Sequence, residues 1–352
     1  MALDLANEIV IRWSEPDLRH VPLLQEAGIS VAWGTADAAF SDACSAVGIR
    51  ALAPDAIRSV KAEDAGRVDP GAPLIVEDGT WPGVQRQDPA LASATRSLWI
   101  DTNGYRLGQL RALHPGTIPF LAYQPDTDAG VSADRMVPFE SLELALAEAW
   151  VGGGNYVLAL EPRYRDALLR GDQKATAAWR SLGRTTRWLR AHASLFRQPT
   201  LPGVTVLVDG GFVSTEVANL MYRQCVSPAF EPASGPPPPD PSRRRVVVAA
   251  GIDAPAAEVA DRILAHASAG ASVVVDDLGE NAWWRRAGLT RTRVQEDREF
   301  YSLGAGQVVA YHQVDDPSEL ALDVLDLLTP GQRSARLWNS QGGVAMATTA
   351  PA

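Results

Sequence analysis

The sequence is poor in the residues that build disulfide frameworks and metal sites. Its 352 residues include two cysteines and five histidines, and neither set shows the spacing of a metal-binding motif. This disfavours a disulfide-stapled fold and a zinc site. We predict no metal and no cofactor, and we interpret Cys44 and Cys225 as small buried apolar residues.

Long apolar runs and an excess of positive charge are also missing. No stretch reaches the length of a membrane span, and residues 1–13 do not show the pattern of a signal peptide. The net charge of −10 repels phosphate backbones. We therefore predict no membrane and no nucleic-acid partner. The prediction for location is cytoplasmic, with a secreted or periplasmic protein as the alternative if a leader has been removed.

Short apolar runs alternate with longer helical patterns along the first two hundred residues. This alternation is typical of βαβ units and a parallel sheet. Seven runs are predicted strands, at residues 9–13, 29–34, 50–53, 73–77, 98–101, 118–123 and 156–161. An eighth strand is either residues 57–60 or Val204–Val208. Both choices predict an α/β fold with a (β/α)8 TIM barrel.

A second α/β pattern begins after Pro202. Strands are predicted at residues 204–208, 245–249, 272–275 and 307–311, with helices at 214–223, 254–269 and 317–328. This order predicts an open, Rossmann-like layer. Residues 335–348 read as a β-hairpin that turns at 341–343. We therefore divide the chain into domains at 1–202 and 203–330, followed by a C-terminal β tail at 331–352.

Four segments carry a resemblance to a known family. They are LIVEDGTWPG (74–83), SLWIDTNGYRLGQLRALHPG (97–116), GGGNYVLALEPRYR (152–165) and GVTVLVDGGFVSTEVANLM (203–221). Together they resemble bacterial glycoside hydrolase-like proteins in which a glutamine-amidotransferase-like domain follows a TIM barrel, as in β-galactosidases with a trimerisation domain. The resemblance implies a carbohydrate ligand and a homo-oligomer through the second domain. It also favours residues 57–60 as the fourth barrel strand.

Three of the predicted barrel strands end in acidic residues, namely Glu77, Asp101 and Glu161. Glycoside hydrolysis usually needs two carboxyl groups, and a TIM barrel carries its active site at the carboxyl ends of the strands. We predict these three residues as catalytic. Each has a structural alternative: a loop anchor for Glu77, helix capping beside Asp101, and an ion pair with Arg163 for Glu161.

Aromatic and polar residues near these acids are predicted to bind substrate. Indole rings stack on the apolar faces of sugars, so we expect Trp81 and Trp99 to form a platform. The remaining predicted contacts are Asn103, Tyr123 and Arg163. Asn103 has helix capping as its structural alternative.

The chain departs from the family pattern in two places. Hydrolases of the largest barrel clan carry an Asn-Glu pair after strand four and a Glu after strand seven. Glu77 and Glu161 fall at those places only if Val204–Val208 is strand eight, and Val76 then stands where Asn is expected. In the second domain, residues 250–253 lack the nucleophilic cysteine of a glutaminase.

The sequence therefore predicts a glycoside hydrolase that uses two-carboxylate acid/base chemistry at the barrel mouth. The alternative is a non-catalytic carbohydrate-binding or oligomeric structural protein on the same scaffold.

Overall fold

A computed structural model describes residues 5–61, 64–65, 74–77, 79, 103–122, 137–197, 203–223, 228–234, 246–312, 317–328, 336–338 and 344–346. The chain divides into two compact units. The first unit comprises Met1–Leu107 and Gly116–Arg197, and the second comprises Gly108–Pro115 and Gln198–Ala352. None of the helices in the described part of the chain combines the length and the apolar character needed to cross a membrane.

The first unit is built on a parallel sheet. Its strands are Val10–Arg12 (β1), Val31–Trp33 (β2), Arg50–Leu52 (β3), Ser59–Val60 (β4), Leu74–Val76 (β5), Pro119–Ala122 (β6) and Asn155–Leu158 (β7). They pair in the order β3-β2-β1-β7-β6-β5-β4. Because β1 lies beside β7, the order is cyclic, as in a barrel. The unit is thus an α/β structure with a curled parallel sheet consistent with a TIM barrel.

In the part of the chain that the structure describes, the helices that accompany these strands are Val21–Glu26 (α1), Ala38–Ala46 (α2), Gly104–Leu113 (α3), Ser141–Val151 (α4), Pro162–Leu169 (α5) and Gln173–Ala191 (α6). The residues of α3 from Gly108 onward belong to the second unit. Several of these helices begin at the polar caps that favour helix initiation. Asp37 accepts a hydrogen bond from the Phe40 N–H ahead of α2, and Asp172 accepts from Lys174 and Ala175 ahead of α6.

The interior of this sheet is apolar because both faces of a parallel sheet are covered. One buried cluster gathers a residue from each of five strands: Val10, Val31, Ile75, Phe120 and Val157. Close packing also explains one of the glycines that were predicted to end α4. A Cβ on Gly154 would lie 2.7 Å from both Leu107 Cδ2 and the Pro119 carbonyl oxygen, so only glycine fits where the chain turns into β7.

The two candidates for the eighth strand lie in different sheets. Ser59–Val60 joins the first unit beside β5, whereas Val204–Val208 belongs to the second unit. Val204–Val208 is therefore not a barrel strand, and the strand count that put Glu77 after strand four is wrong. The predicted strand at residues 98–101 lies outside the described residues. No strand stands between β5 and β6, because they pair directly with each other. The described part of this sheet has seven strands.

The second unit has its own mixed sheet. Its strands are Val204–Val208 (β8), Ala229–Pro232 (β9), Val246–Val248 (β10), Ser272–Val275 (β11), Thr290–Val294 (β12), Arg298–Leu303 (β13) and Gly306–Tyr311 (β14). The order is β12-β13-β14-β11-β10-β8-β9. β13 pairs antiparallel with both β12 and β14, and the remaining pairs are parallel. The five parallel strands follow the doubly wound order 2-1-3-4-5.

The helices that follow β8 in the described residues of the second unit are Phe212–Arg223 (α7), Ala257–Ser268 (α8) and Pro317–Asp326 (α9). Two separate buried clusters cover this sheet, one containing Val206, Val248 and Val274 and the other containing Val247, Val273 and Ile263. Alternate residues of one strand thus serve opposite clusters, as the pleat requires. The predicted tail hairpin is present as the antiparallel pair Arg336–Trp338 (β15) and Val344–Met346 (β16).

Candidate functional site

A cavity of about 340 Å³ opens at the carboxyl end of the barrel strands. Its walls come from residues in β4 and at or just after the ends of β1, β2, β3 and β5. This is the edge of a TIM barrel that carries active sites. The residues that line this candidate pocket are Arg12, Trp13, Ser14, Trp33, Gly34, Pro54, Ser59 and Glu77.

Glu77 supplies the carboxylate of the candidate pocket. It directly follows β5, and its backbone N–H donates to the Val60 carbonyl at 2.9 Å. Its Oε1 accepts from Arg12 Nη2 at 3.0 Å and from Ser59 Oγ at 2.6 Å. The side chain is 26% exposed, so it is reachable from the cavity. A carboxylate held by a guanidinium and a hydroxyl is suited to act as a base or nucleophile.

Arg12 is fixed in the candidate pocket by a ring as well as by Glu77. It is the last residue of β1, and its guanidinium carbon lies 4.9 Å from the centre of the Trp33 ring. Its Nε is buried and makes no hydrogen bond to the described residues. The guanidinium is therefore held in place by stacking and by one carboxylate, which fixes its charge beside Glu77.

Two indoles form apolar walls of the candidate pocket. Trp13 Nε1 donates to the Glu15 carbonyl at 2.8 Å, and Trp33 Nε1 donates to the Pro54 carbonyl at 3.0 Å. With both N–H groups satisfied, the rings are held in fixed orientations. Fixed apolar walls around a few polar groups are typical of a site for a small organic ligand.

A charged network lies behind Trp13. The His20 ring meets the Trp13 ring edge-on, with 5.5 Å between their centres. His20 also lies 3.9 Å from the Glu15 carboxylate, which pairs with Arg165 of α5 at 3.0 Å. The network thereby ties the loop after β1 to the helix after β7, and it supports the wall that Trp13 provides.

No protein-family model and no curated protein sequence matches this chain. Its fold, however, matches solved structures. One is the exo-β-1,4-mannosidase Op5Man5 from Opitutaceae bacterium strain TAV5, with a TM-score of 0.52 and 10% sequence identity, covering 89% of this chain and 92% of that one. The structural neighbours are glycoside hydrolases.

Two β-galactosidases match over a smaller share of their own length. The enzyme from Bacillus circulans sp. alkalophilus has a TM-score of 0.51 and 10% identity, covering 82% of this chain and 54% of that one. Gan42B, a GH42 β-galactosidase from G. stearothermophilus, has a TM-score of 0.47 and 12% identity, with 82% and 55% covered. The chain thus spans about half the length of these β-galactosidases. At such identities the likeness describes the fold.

The structure gives Glu161 a capping role. Its Oε2 accepts from the Tyr164 N–H at 3.0 Å, which makes it the N-cap of α5. Glu161 is not among the residues that line the candidate pocket. Arg163 is exposed in the first turn of the same helix. The hydrogen bond that the structure shows for the Glu161 carboxylate thus comes from the backbone of the following helix.

Asn103 is also held by structural contacts. It is fully buried, and its backbone N–H and Nδ2 donate to the Glu148 carboxylate at 2.6 and 3.0 Å. Glu148 accepts from the Gly104 N–H as well, at 2.7 Å. A carboxylate from α4 therefore satisfies the N-terminus of α3.

The other predicted site residues, Asp101, Trp81, Trp99 and Tyr123, lie outside the described residues. Sequence reasoning missed Arg12, Trp13, Trp33 and Ser59. A signal for the indoles existed, because the first two predicted strands each end in or next to a tryptophan. Arg12 and Ser59 carried no such signal. Arg12 is a single basic residue at a strand end, and the strand that contains Ser59 is short and has a weak apolar pattern.

Proposed function

We propose that this chain is a glycoside hydrolase that binds a sugar in the candidate pocket and uses Glu77 as its catalytic base or nucleophile. The observation that carries the proposal is the Glu77 carboxylate at the end of β5, held by Arg12 and Ser59 at the edge of the barrel where chemistry occurs. The glycoside hydrolase folds of the structural neighbours agree with it.

Hydrolysis also needs a proton donor on the other side of the glycosidic bond. Of the three predicted carboxylates, Glu161 already accepts a backbone N–H at the start of α5. We therefore assign the donor to Asp101. We still propose sugar contacts by Trp81, Trp99 and Tyr123, in addition to the pocket walls that Trp13 and Trp33 provide.

The test is a panel of aryl glycosides with the free sugar as a binding probe. Glu77→Gln keeps the size and the acceptor oxygen of the side chain but removes its charge, and we expect turnover to fall by about 1,000-fold. Asp101→Asn should cause a similar loss. Glu161→Gln is the matched control, and its turnover should stay close to that of the wild type. Full turnover by Glu77→Gln would refute the proposal.

A second function is a non-catalytic carbohydrate-binding protein on the same scaffold. Its support is that Glu77 is the single carboxylate among the described residues of the candidate pocket. Sugar binding that depends on Trp13 and Glu77, with no turnover of any glycoside by the wild type, would favour this function.

For assembly, we propose a homo-oligomer formed through the second unit. This unit exposes large apolar side chains on α7 and α9, with Phe212 86% and Leu322 52% exposed. Exposed apolar side chains of this size are typical of surfaces that bind another chain.

A further inference from the structure

The outer face of α6 is basic on an acidic protein. Residues 173–191 include Lys174, Arg180, Arg184, Arg187 and Arg190 and no aspartate or glutamate. The whole chain, in contrast, has a net charge of −10. The opposite face of the helix is buried through Trp179, Leu182 and Leu189. A positive strip on a negative protein attracts anionic groups to that strip.

Two of these five cations have side-chain or backbone acceptors among the described residues, and the other three, which include Lys174, do not. Arg180 pairs with the Glu26 carboxylate at 2.8 Å, and Arg187 donates to the Glu26 carbonyl at 3.0 Å. Arg184 and Arg190 are exposed and make no ion pair or hydrogen bond with the part of the chain that the structure describes. Within the described residues, no carboxylate neutralises these two charges.

Trp188 places an aromatic ring next to Arg184. It is 52% exposed and lies one turn after Arg184 on the same side of the helix. His192 stacks on the ring, with 4.6 Å between centres and an interplanar angle of 26°, and Phe196 meets it edge-on at 5.9 Å. An exposed indole that is held by contacts with two other rings is a rigid surface for stacking.

A cavity continues this surface toward the start of α6. It has a volume of about 440 Å³ and lies between Val137–Glu140 and the helix. Three of its α6 residues follow helical spacing together with the two residues above, which gives the stripe Lys174, Ala177, Ser181, Arg184 and Trp188. We call this stripe the basic track. Its 14-residue rise corresponds to roughly 21 Å, a length that accommodates several linked sugar rings.

We propose that the basic track binds an acidic polysaccharide, a chain of sugars that carry carboxylates. The apolar C–H face of one sugar stacks on Trp188, while carboxylates of the chain pair with Arg184 and Lys174. The choice of a glycan over an acidic peptide rests on the proposed function. A flat lipid bilayer fits poorly because the track includes a concave cavity. Glu140 lines the same cavity and would repel the carboxylates of the polysaccharide, so these carboxylates pair with the cations of α6 on the other side of the cavity.

The experiment measures retention of the full chain in native gels containing polygalacturonate, with neutral galactomannan as the comparison. We expect retention by polygalacturonate alone. Trp188→Ala should weaken it by about tenfold and Arg184→Gln by about fivefold. Arg190→Gln is the matched control: it removes the same charge from the same helix, but it lies two residues after Trp188 and so about 160° away from Trp188 around the helix axis. Its retention should change less than about twofold.

Several outcomes would overturn the proposal. Equal losses in Arg184→Gln and Arg190→Gln would mean unspecific attraction of charge, and equal retention by galactomannan would remove the role of the carboxylates. Retention by poly-glutamate, or binding to phosphatidylglycerol vesicles that Trp188→Ala abolishes, would assign the face to a peptide or a membrane. Glu77→Gln should retain polygalacturonate binding. The turnover measurement thus tests the proposed function, and the retention measurement separately tests the basic track.

Discussion

At the scale of single residues, the carboxylates of Glu77 and Glu161 differ in what surrounds them. Both follow the end of a barrel strand. Glu77 meets side chains from β1 and β4, a guanidinium and a hydroxyl, whereas Glu161 meets the backbone of the next helix. The contacts of Glu77 are long-range, because its two partners are 65 and 18 residues away in the sequence. The contact of Glu161 is local, because it caps the helix that follows it.

Arg12 should act as a positioning residue for Glu77. Arg12→Ala removes both the guanidinium and its stacking on Trp33, and we expect kcat/KM on a cleaved glycoside to fall by about 100-fold. Arg12→Lys restores the charge without the planar fork and should recover part of the loss. Steady-state kinetics of both variants checks this. If Arg12→Ala leaves kcat/KM unchanged, Glu77 does not depend on the guanidinium.

Asp276 in the second unit should make stability depend on pH. Burial raises its pKa above the ordinary 3.8, although a hydrogen bond from the Gly251 N–H, at 2.9 Å, opposes the shift. The folded chain then holds the proton more tightly than the unfolded chain. Stability is therefore lost as pH rises from about 3.8 through the folded pKa.

Asp276→Asn keeps an acceptor for Gly251 and removes the charge. We expect its Tm to exceed that of the wild type at pH 7, with the difference closing toward about pH 4. Thermal unfolding across this range measures it. Glu280→Gln, at an exposed position that does not shift the Asp276 pKa, is the control and should not show this trend. A Tm difference that is constant with pH would contradict the assignment to Asp276.

At the scale of elements, close packing reverses an ordinary helix preference at Gly183. Alanine normally stabilises a helix relative to glycine by about 1 kcal/mol. In α6, however, a Cβ at this position would lie 2.2 Å from the Glu26 carbonyl oxygen at the end of α1. Thr186 of the same helix donates to the Ala27 carbonyl at 2.7 Å, so α6 cannot easily move away.

Gly183→Ala should therefore lower the free energy of unfolding by about 2 kcal/mol, because overpacking displaces the helix. Ser181→Ala, two residues earlier and partly exposed, is the comparison and should change stability by less than about 0.5 kcal/mol. Urea unfolding of both variants measures the difference. Stabilisation by Gly183→Ala would show that α6 and α1 pack less closely than the structure indicates.

Elements with a strong local pattern were predictable from sequence, and elements without one were not. The parallel strand β5 is apolar along its whole length, and α4 ends at the predicted glycines. The missed strand β12 has all five residues exposed, so its sequence shows no apolar alternation. It exists because it pairs with β13 at the edge of the second sheet.

At the scale of the whole molecule, the proposed oligomer can be measured directly. Light scattering of the full chain should give a mass that is a multiple of 37.6 kDa. Phe212→Asp places a charge at the most exposed aromatic side chain among the described residues of the second unit and should shift the mass toward the monomer. Val294→Asp, on the exposed strand β12, is the control. A monomer mass for the wild type across a wide range of concentrations would refute the proposal.

The sequence by itself determined the strands and helices that carry a strong local pattern, and that parallel sheets dominate, because apolar runs and helical spacing are local signals. Tertiary structure alone decided that Val204–Val208 belongs to the second sheet and that Ser59–Val60 belongs to the barrel. It also brought Arg12, Ser59 and Glu77 together. Strand order and the facing of side chains depend on pairing between distant segments, and no local pattern encodes that pairing.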